Sequence, residues 1–136
     1  MKLIPQVDSF YKGYIKIISF FNKMAEKSDT LELSELSFDE LNLNENLLRG
    51  IYSYGFEKPS MIQHKAVPVV TSGKDVIAQA QSGTGKTGAF SIGSLNRVDE
   101  TLKESQILIL SPTRELAEQT FTVMKELSAY TNISLV

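Results

Sequence analysis

A glycine-rich segment at residues 80–87 has the residue types that bind a nucleoside triphosphate, in the order Ala-Gln-Ser-Gly-Thr-Gly-Lys-Thr. Glycines let backbone N–H groups turn toward phosphate oxygens at places where a Cβ would prevent close approach. A lysine at this position reaches the β and γ phosphates, and the following hydroxyl ligates Mg²⁺. The segment therefore predicts catalytic roles for Lys86 and Thr87, a Mg²⁺ contact from Thr87, and cofactor contacts from Gly83, Thr84, Gly85, Lys86, Thr87 and Gly88.

Gln63, which precedes Lys86 by 23 positions, is a candidate for recognising the base of the nucleotide. A glutamine amide offers one donor and one acceptor, which match the N6 and N7 edge of adenine and mismatch the two acceptors of guanine. Considered alone, Gln63 fits a solvated helix residue and Phe56 a core aromatic. Their joint spacing from the glycine-rich segment favours a base pocket that selects ATP over GTP.

A second candidate loop, Ser111-Pro112-Thr113-Arg114-Glu115-Leu116-Ala117, follows a run of apolar residues. Pro112 and Thr113 start a helix whose unpaired N–H groups can receive a phosphate, and Arg114 supplies a planar cationic group. If this loop stood alone, a helix cap with a solvated arginine would be the favoured interpretation. Together with the other two motifs, the loop favours contact with a nucleic-acid backbone.

Alternating helix and strand patterns place these motifs at the ends of predicted strands. Asn44 and Ser60 are typical N-caps of two short helices, which Gly55 and Gly73 would end. Apolar runs predict strands at residues 75–78, 106–110 and 133–136, with helices at about 86–98 and 113–130 between them. This order predicts an α/β fold, a parallel sheet with flanking helices, with ligands bound at the carboxyl ends of the strands.

Composition limits the other classes of function. The 136 residues are 42% hydrophobic and 22% charged, as in a soluble globular domain. Because the net charge is −2, any binding of nucleic acid is expected to depend on a local cluster of residues rather than on the overall charge. No cysteine is present and His64 is the single histidine, which excludes disulfides and the usual zinc sites. The longest apolar stretch is far shorter than the ~20 residues of a membrane helix, so we expect no membrane partner.

The first 23 residues differ from the rest, since four lysines and one aspartate give them a charge of +3. They are also rich in aromatic and apolar residues but lack the cleavage pattern of a signal peptide. A basic amphipathic surface helix, a disordered tail and a wrongly extended start all remain open. In the last case Met24 would be the initiator, and we treat residues 1–35 as an N-terminal extension.

These motifs together resemble those of DEAD-box RNA helicases, and residues 38–135 resemble the group that includes translation initiation factor 4A. Residues 55–63, with Phe38 placed 17 positions before Gly55, resemble the Q motif, and residues 111–117 resemble motif Ia. Alanine at Ala80 is usual in helicase loops, whereas small GTPases have glycine there. The resemblance implies a partial RecA-like P-loop NTPase domain, in which residues 36–64 form the Q motif region and residues 65–136 the first part of an incomplete ATP-binding domain.

The resemblance also implies site roles and a function. Phe56 would stack on adenine, Lys58 would line the base pocket and Phe38 would pack behind Phe56, while Pro112, Thr113 and Arg114 would contact the RNA backbone. The implied activity is that of an ATP-dependent RNA helicase with ATP and Mg²⁺ as cofactors. RNA and a scaffold of the initiation factor 4G type would be its partners. It would act in the cytoplasm, with the nucleus as the alternative location.

Residues 1–136 hold no Asp-Glu-Ala-Asp box and no second RecA-like domain. We therefore expect no meaningful turnover from these residues by themselves, because the carboxylates that hold Mg²⁺ and the arginine fingers are elsewhere. One alternative is a truncated, catalytically inactive fragment that binds nucleotide. Another is a different P-loop NTPase such as a nucleotide kinase, which equal competition by GTP would favour.

Overall fold

The computed structural model describes residues 36–136, so the predictions made for residues 1–35 lie outside the described part of the chain. Within the described range, a short 3₁₀ turn at Phe38–Leu41 precedes four α-helices. The helices are α1 at Glu45–Ser53, α2 at Met61–Thr71, α3 at Lys86–Leu95 and α4 at Arg114–Leu127. None of the helices in this range is long and apolar enough to cross a membrane.

Local capping chemistry sets the start and end of α1. The Asn44 side chain accepts a hydrogen bond from the Asn46 N–H at 2.9 Å, which satisfies one of the unpaired donors of the first turn. Gly55 follows the helix with a φ of +98°, a conformation that glycine adopts without the strain of a Cβ. The predicted cap and the predicted stop of α1 are therefore confirmed.

The other helices also start where the sequence predicts. Ser60 caps α2, which continues three residues beyond Pro68, and Thr113 caps α4 by accepting from the Leu116 N–H at 3.3 Å. The predicted helices at 86–98 and 113–130 are each three residues too long at their carboxyl ends, because α3 ends at Leu95 and α4 at Leu127. Helix ends fray within one turn, and sequence pattern locates them poorly.

The predicted strands are not formed as strands within residues 36–136, where the secondary structure consists of helices and turns. The three segments at 75–78, 106–110 and 133–136 adopt no helical conformation, but no backbone ladder joins them in the described range. A strand requires interstrand N–H to C=O bonds, which an apolar run alone does not supply. The predicted flanking helices are therefore present, but the predicted parallel sheet is not formed among residues 36–136.

Side chains in two of these segments alternate between packed and exposed positions, as extended backbone requires. Ile107 and Ile109 are half-buried, whereas Leu108 and Leu110 are 83% and 84% exposed. Only one face of the 106–110 run is therefore covered within residues 36–136. Between α4 and the segments at 106–109 and 132–136 lies an open groove of about 1180 Å³, partly apolar in its lining.

A single hydrophobic cluster joins the helices, the 3₁₀ turn and the inward residues of the extended segments. Its buried members are Phe38, Leu41, Leu47, Ile51, Val67, Ile92, Leu95, Met124 and Leu127. Ile109, Ile133 and Leu135 pack against this cluster from the segments that form no ladder. The core is therefore built by helix contacts, with the extended segments covering one side.

Two glycines allow helices to approach more closely than side chains would permit. A Cβ on Gly50 would lie 1.9 Å from the Leu127 carbonyl oxygen, so α1 and α4 meet at backbone contact. A Cβ on Gly93 would lie 2.7 Å from Val70 Cβ, which marks the same kind of contact between α3 and α2. Arg49 adds a cation–π contact by lying 4.4 Å from the centre of the Tyr130 ring.

We predict that Gly50→Ala destabilises the fold, because the new methyl group would overlap a backbone oxygen that no rotamer change can move. The expected loss in free energy of unfolding is about 3 kcal/mol, the upper end for overpacked sites, although alanine favours an isolated helix. Urea unfolding followed by circular dichroism measures it. The control is Arg49→Ala, which removes only the exposed cation–π contact and should cost under ~1 kcal/mol. Equal midpoints for the two variants would contradict the close approach.

Candidate functional site

The glycine-rich loop has the backbone shape that its composition predicts. Gly83 and Gly85 have φ values of +79° and +94°, in the left-handed region where a Cβ introduces strain. No described atom lies within 4 Å of the position that a Cβ would take on Gly83. The loop is therefore open on the side of Gly83, and it leads directly into α3.

Lys86 lies against its own loop. Its Nζ donates to the Ala80 carbonyl and, at 2.6 Å, to the Gln81 carbonyl, while the Thr84 hydroxyl donates to the same Gln81 oxygen at 2.7 Å. Carbonyl acceptors thus hold the ammonium group at the loop. A phosphate oxygen can replace these carbonyls, because its negative charge makes it a stronger hydrogen-bond partner for an ammonium group. Thr87 is half-buried in the first turn of α3.

The start of α3 fits an anionic group. Gly85 is the N-cap, and no side chain of residues 36–136 caps this helix through a hydrogen bond. The first N–H groups of an α-helix lack intrahelical partners and carry a partial positive charge, so they bind phosphate well. The lysine, the glycine conformations and the uncapped helix start together fit the triphosphate of a nucleotide.

The predicted Mg²⁺ ion has few candidate protein ligands among the described residues. Within the described range, no group of three or more His, Asp or Glu side chains is placed to hold a metal ion. The Thr87 hydroxyl, in the first turn of α3, is the predicted protein ligand within this range. It would act beside the phosphate oxygens that Mg²⁺ commonly uses in nucleotide sites.

Gln63 connects the base-recognition segment with the phosphate loop. Its side chain is 4% exposed, its Oε1 accepts from the Ser60 N–H at 2.9 Å, and its Nε2 donates to the Gly85 carbonyl at 3.3 Å. The Ser60 hydroxyl in turn accepts from the Gln63 N–H at 3.4 Å, which completes a capping box at the start of α2. Each atom of the amide retains capacity for one further hydrogen bond.

Gly88 is buried beneath this arrangement. A Cβ on Gly88 would lie 2.5 Å from Gln63 Nε2 and 3.1 Å from Cε2 of the Phe56 ring. The structure therefore brings Phe56, Gln63, Gly85 and Gly88 together at one place. Gly88, which the sequence predicts as a cofactor contact, provides the space in which the base-recognition side chains meet α3.

Aromatic rings surround Phe56, which is half-buried. Phe38 is wholly buried and stacks on Phe56 with 6.2 Å between ring centres and 15° between ring planes, as expected for a ring packed behind Phe56. Tyr52 meets Phe38 edge to face, and its hydroxyl donates to the Asp39 carboxylate. This hydrogen bond lowers the pKa of Asp39 and raises the pKa of Tyr52.

The remaining predicted site residues lie at the surface. Lys58 is exposed in the turn before α2, and Pro112, Thr113 and Arg114 are exposed where α4 begins. The backbone N–H at Glu115 and then the Thr113 hydroxyl hold the pKa of the Glu115 carboxyl below its ordinary value. No hydrogen bond within residues 36–136 joins the 112–114 group to the phosphate loop.

Two residues of the site were not predicted to belong to it. Ser60 was expected only as a helix cap, yet its N–H holds the Gln63 amide, and the Ser-x-x-Gln pattern of a capping box was the available signal. Tyr54, to which no site role was assigned, meets the Phe56 ring. No sequence spacing predicts that contact, because it depends on the path of the chain through Gly55.

The sequence matches the family described as DEAD/DEAH box helicase over residues 60–136. It is 54% identical over 99 residues to the ATP-dependent RNA helicase eIF4A of Meyerozyma guilliermondii, covering 73% of this chain and 25% of that protein. It is 59% identical over 98 residues to the ATP-dependent RNA helicase FAL1 of Saccharomyces cerevisiae, covering 72% and 25%. The chain thus spans about a quarter of the length of these curated relatives.

Solved structures of similar proteins share the arrangement of the described residues. Saccharomyces cerevisiae Dbp5 bound to RNA and ADP BeF3 superposes with a TM-score of 0.70 at 48% identity, covering 72% of this chain and 26% of that one. A DEAD box protein from the hyperthermophile Methanococcus jannaschii gives a TM-score of 0.64 at 41% identity, covering 68% and 25%. At these identities the likeness is one of sequence as well as of fold.

We predict that Gly88→Ala weakens binding of Mg·ATP about tenfold, because the new methyl group would displace the Gln63 amide; a bidentate base contact is worth about 1–3 kcal/mol. Isothermal titration calorimetry with ATP measures the change. Gly93→Ala is the matched control on the same helix, since it would overlap Val70 Cβ instead. That variant should lose about 1–3 kcal/mol of stability and keep its ATP affinity while folded. The site geometry would be refuted by equal ATP affinity in Gly88→Ala and the unchanged protein.

Proposed function

The chain belongs to the DEAD/DEAH box helicase family, and from this premise we propose that it forms the ATP-binding part of an ATP-dependent RNA helicase of the initiation factor 4A type. Relatives named eIF4A and FAL1, at 54–59% identity, support this type. In the whole protein we infer a RecA-like domain in which the segments at 75–78, 106–110 and 133–136 pair as parallel strands. Residues 36–64 would be its Q motif region and residues 65–136 the first part of that domain.

One observation carries the proposal: the buried Gln63 amide joins the base-recognition turn to Gly85 of the phosphate loop. A nucleotide that places its phosphates at the start of α3 therefore has its base near Gln63 and Phe56. The remaining donor and acceptor of the amide match the N6 and N7 edge of adenine. Phe56 would stack on the base, and Lys58 would line the pocket.

Binding of the phosphates would change the partners of Lys86. Its ammonium would leave the Ala80 and Gln81 carbonyls for the β and γ phosphates, while the N–H groups at the start of α3 hold the same oxygens. The Thr87 hydroxyl would ligate Mg²⁺, and that ion, when bound, would neutralise charge developing on the phosphates. Lys86 and Thr87 would orient the γ phosphate for hydrolysis in the whole protein.

RNA is the proposed second ligand, at Pro112, Thr113 and Arg114. Their exposure at the start of α4 gives a helix N-terminus and a guanidinium group, both of which bind phosphate. Dbp5, which is 48% identical, has been solved bound to RNA. We further propose a scaffold of the initiation factor 4G type as a protein partner and the cytoplasm, or else the nucleus, as the place of action.

The test of nucleotide recognition uses the whole protein, with Lys86→Ala and Gln63→Ala. Lys86→Ala should abolish detectable ATP binding, because it removes the ammonium group that would bind the β and γ phosphates. Gln63→Ala should lower the preference for ATP over GTP toward unity, because it removes the group that distinguishes the two bases. Competition of ATP and GTP against a labelled nucleotide measures both effects.

The controls are Lys125→Ala and Gln119→Ala, two exposed residues of α4 outside the nucleotide site. Both should bind ATP as the unchanged protein does. Normal ATP hydrolysis by Lys86→Ala would show that the phosphate site is assigned wrongly. Equal competition by GTP in the unchanged protein would favour a different P-loop NTPase.

We also predict that Arg114→Ala weakens binding of all RNA sequences by a similar factor, because contacts to phosphate and sugar carry no base information. The dependence of log affinity on log salt should fall by about one unit of slope or slightly less, as expected for one lost phosphate contact. Titration of several unrelated RNA oligomers at different salt concentrations measures both. Lys125→Ala, in the last turn of the same helix, is the charge-matched control. A strongly sequence-dependent loss would contradict a backbone contact.

A further inference from the structure

The Phe56 ring has three neighbours and still remains half-buried. Phe38 stacks on it with 15° between the planes and is itself wholly buried. The rim of the ring, at Cε2 and Cζ, approaches Gly88 so closely that a Cβ there would lie 3.1 and 3.3 Å away. Phe56 is half-buried, so part of the ring stays accessible to a ligand.

Tyr54 makes a third contact with the same ring. The two ring centres lie 4.8 Å apart with 82° between the planes, an edge-to-face arrangement at the short end of the usual range. Tyr54 is 39% exposed and stands at the end of α1, where its N–H donates to the Gly50 carbonyl at 2.9 Å. The backbone of Tyr54 is therefore held by α1, while its side chain makes the contact with the Phe56 ring.

We propose that Tyr54 is a positioning residue that sets the plane of the Phe56 ring for stacking on the adenine base. This inference deepens the proposed function and rests on it. Phe38 stacks on the ring and Gly88 lies at its rim. The perpendicular Tyr54 ring adds a further restraint on the ring plane and so prepares Phe56 for a flat base before the nucleotide arrives.

The physical gain comes from the orientation dependence of aromatic contacts. Aromatic pairs prefer offset-stacked or perpendicular arrangements, and ordering a ring on binding costs part of the binding free energy. Tyr54→Ala removes the restraint without changing any group that contacts phosphate. Tyr54→Phe retains the ring and should retain the restraint, because the contact with Phe56 is made by the ring.

The experiment compares two probes on the full chain: Mg·ATP, which has a base, and Mg·tripolyphosphate, which has none. Tyr54→Ala should bind ATP about 3- to 10-fold more weakly, the range expected for one lost aromatic pair, and bind tripolyphosphate unchanged. Tyr54→Phe should restore ATP affinity. Tyr130→Ala is the matched control, since Tyr130 is a tyrosine of similar exposure, 41%, whose ring partner is Arg49. That control should leave both affinities unchanged.

The other outcomes would overturn either the role of Tyr54 or the proposed base pocket. Unchanged ATP affinity in Tyr54→Ala, or equal weakening of ATP and tripolyphosphate, would overturn the role of Tyr54 and leave the proposed function intact. Failure of Tyr54→Phe to restore affinity would also overturn it. An unchanged protein that binds ATP no better than tripolyphosphate would overturn the proposed base pocket, and this inference with it. Urea unfolding of each variant, without nucleotide, separates a loss of folding from a loss of recognition.

Discussion

The two hydrogen bonds of the Gln63 amide are the contact on which the arrangement of the site depends. Oε1 accepts a hydrogen bond from the Ser60 N–H, and Nε2 donates one to the Gly85 carbonyl. One buried side chain therefore joins the start of α2 to the phosphate loop. A buried amide without partners would cost about 1–3 kcal/mol, so the pair resists separation. The predicted base-recognition turn and the glycine-rich loop are therefore linked before any ligand binds.

That link is possible only where the backbones come close, and glycine supplies the space. Gly85 and Gly88 lie under the Gln63 side chain, and Gly93 continues the same contact of α3 with α2 at Val70. Glycine inside a helix costs up to about 1 kcal/mol relative to alanine, and α3 contains two. The local cost is offset by the close approach, which places Phe56 and Gln63 directly over the start of α3.

The extended segments show how far the fold depends on contacts between distant parts of the chain. Ile107, Ile109, Ile133 and Leu135 alternate toward the core as a strand would, yet no ladder forms among residues 36–136. The apolar sequence determines which residues are able to face inward, but pairing requires a neighbouring strand at the right distance. The groove of about 1180 Å³ lies between these segments and α4.

The sequence by itself determined the helix starts at Asn44, Ser60 and Thr113 and the composition of the phosphate loop, because caps and glycine conformations depend on a few adjacent residues. It also gave the spacing that marks Gln63 and Phe56. Only the tertiary structure decided that the Gln63 amide bonds Gly85, that Tyr54 meets Phe56, and that the apolar runs form no ladder with one another within residues 36–136. Those outcomes depend on side-chain direction and on distant neighbours, which local pattern does not encode.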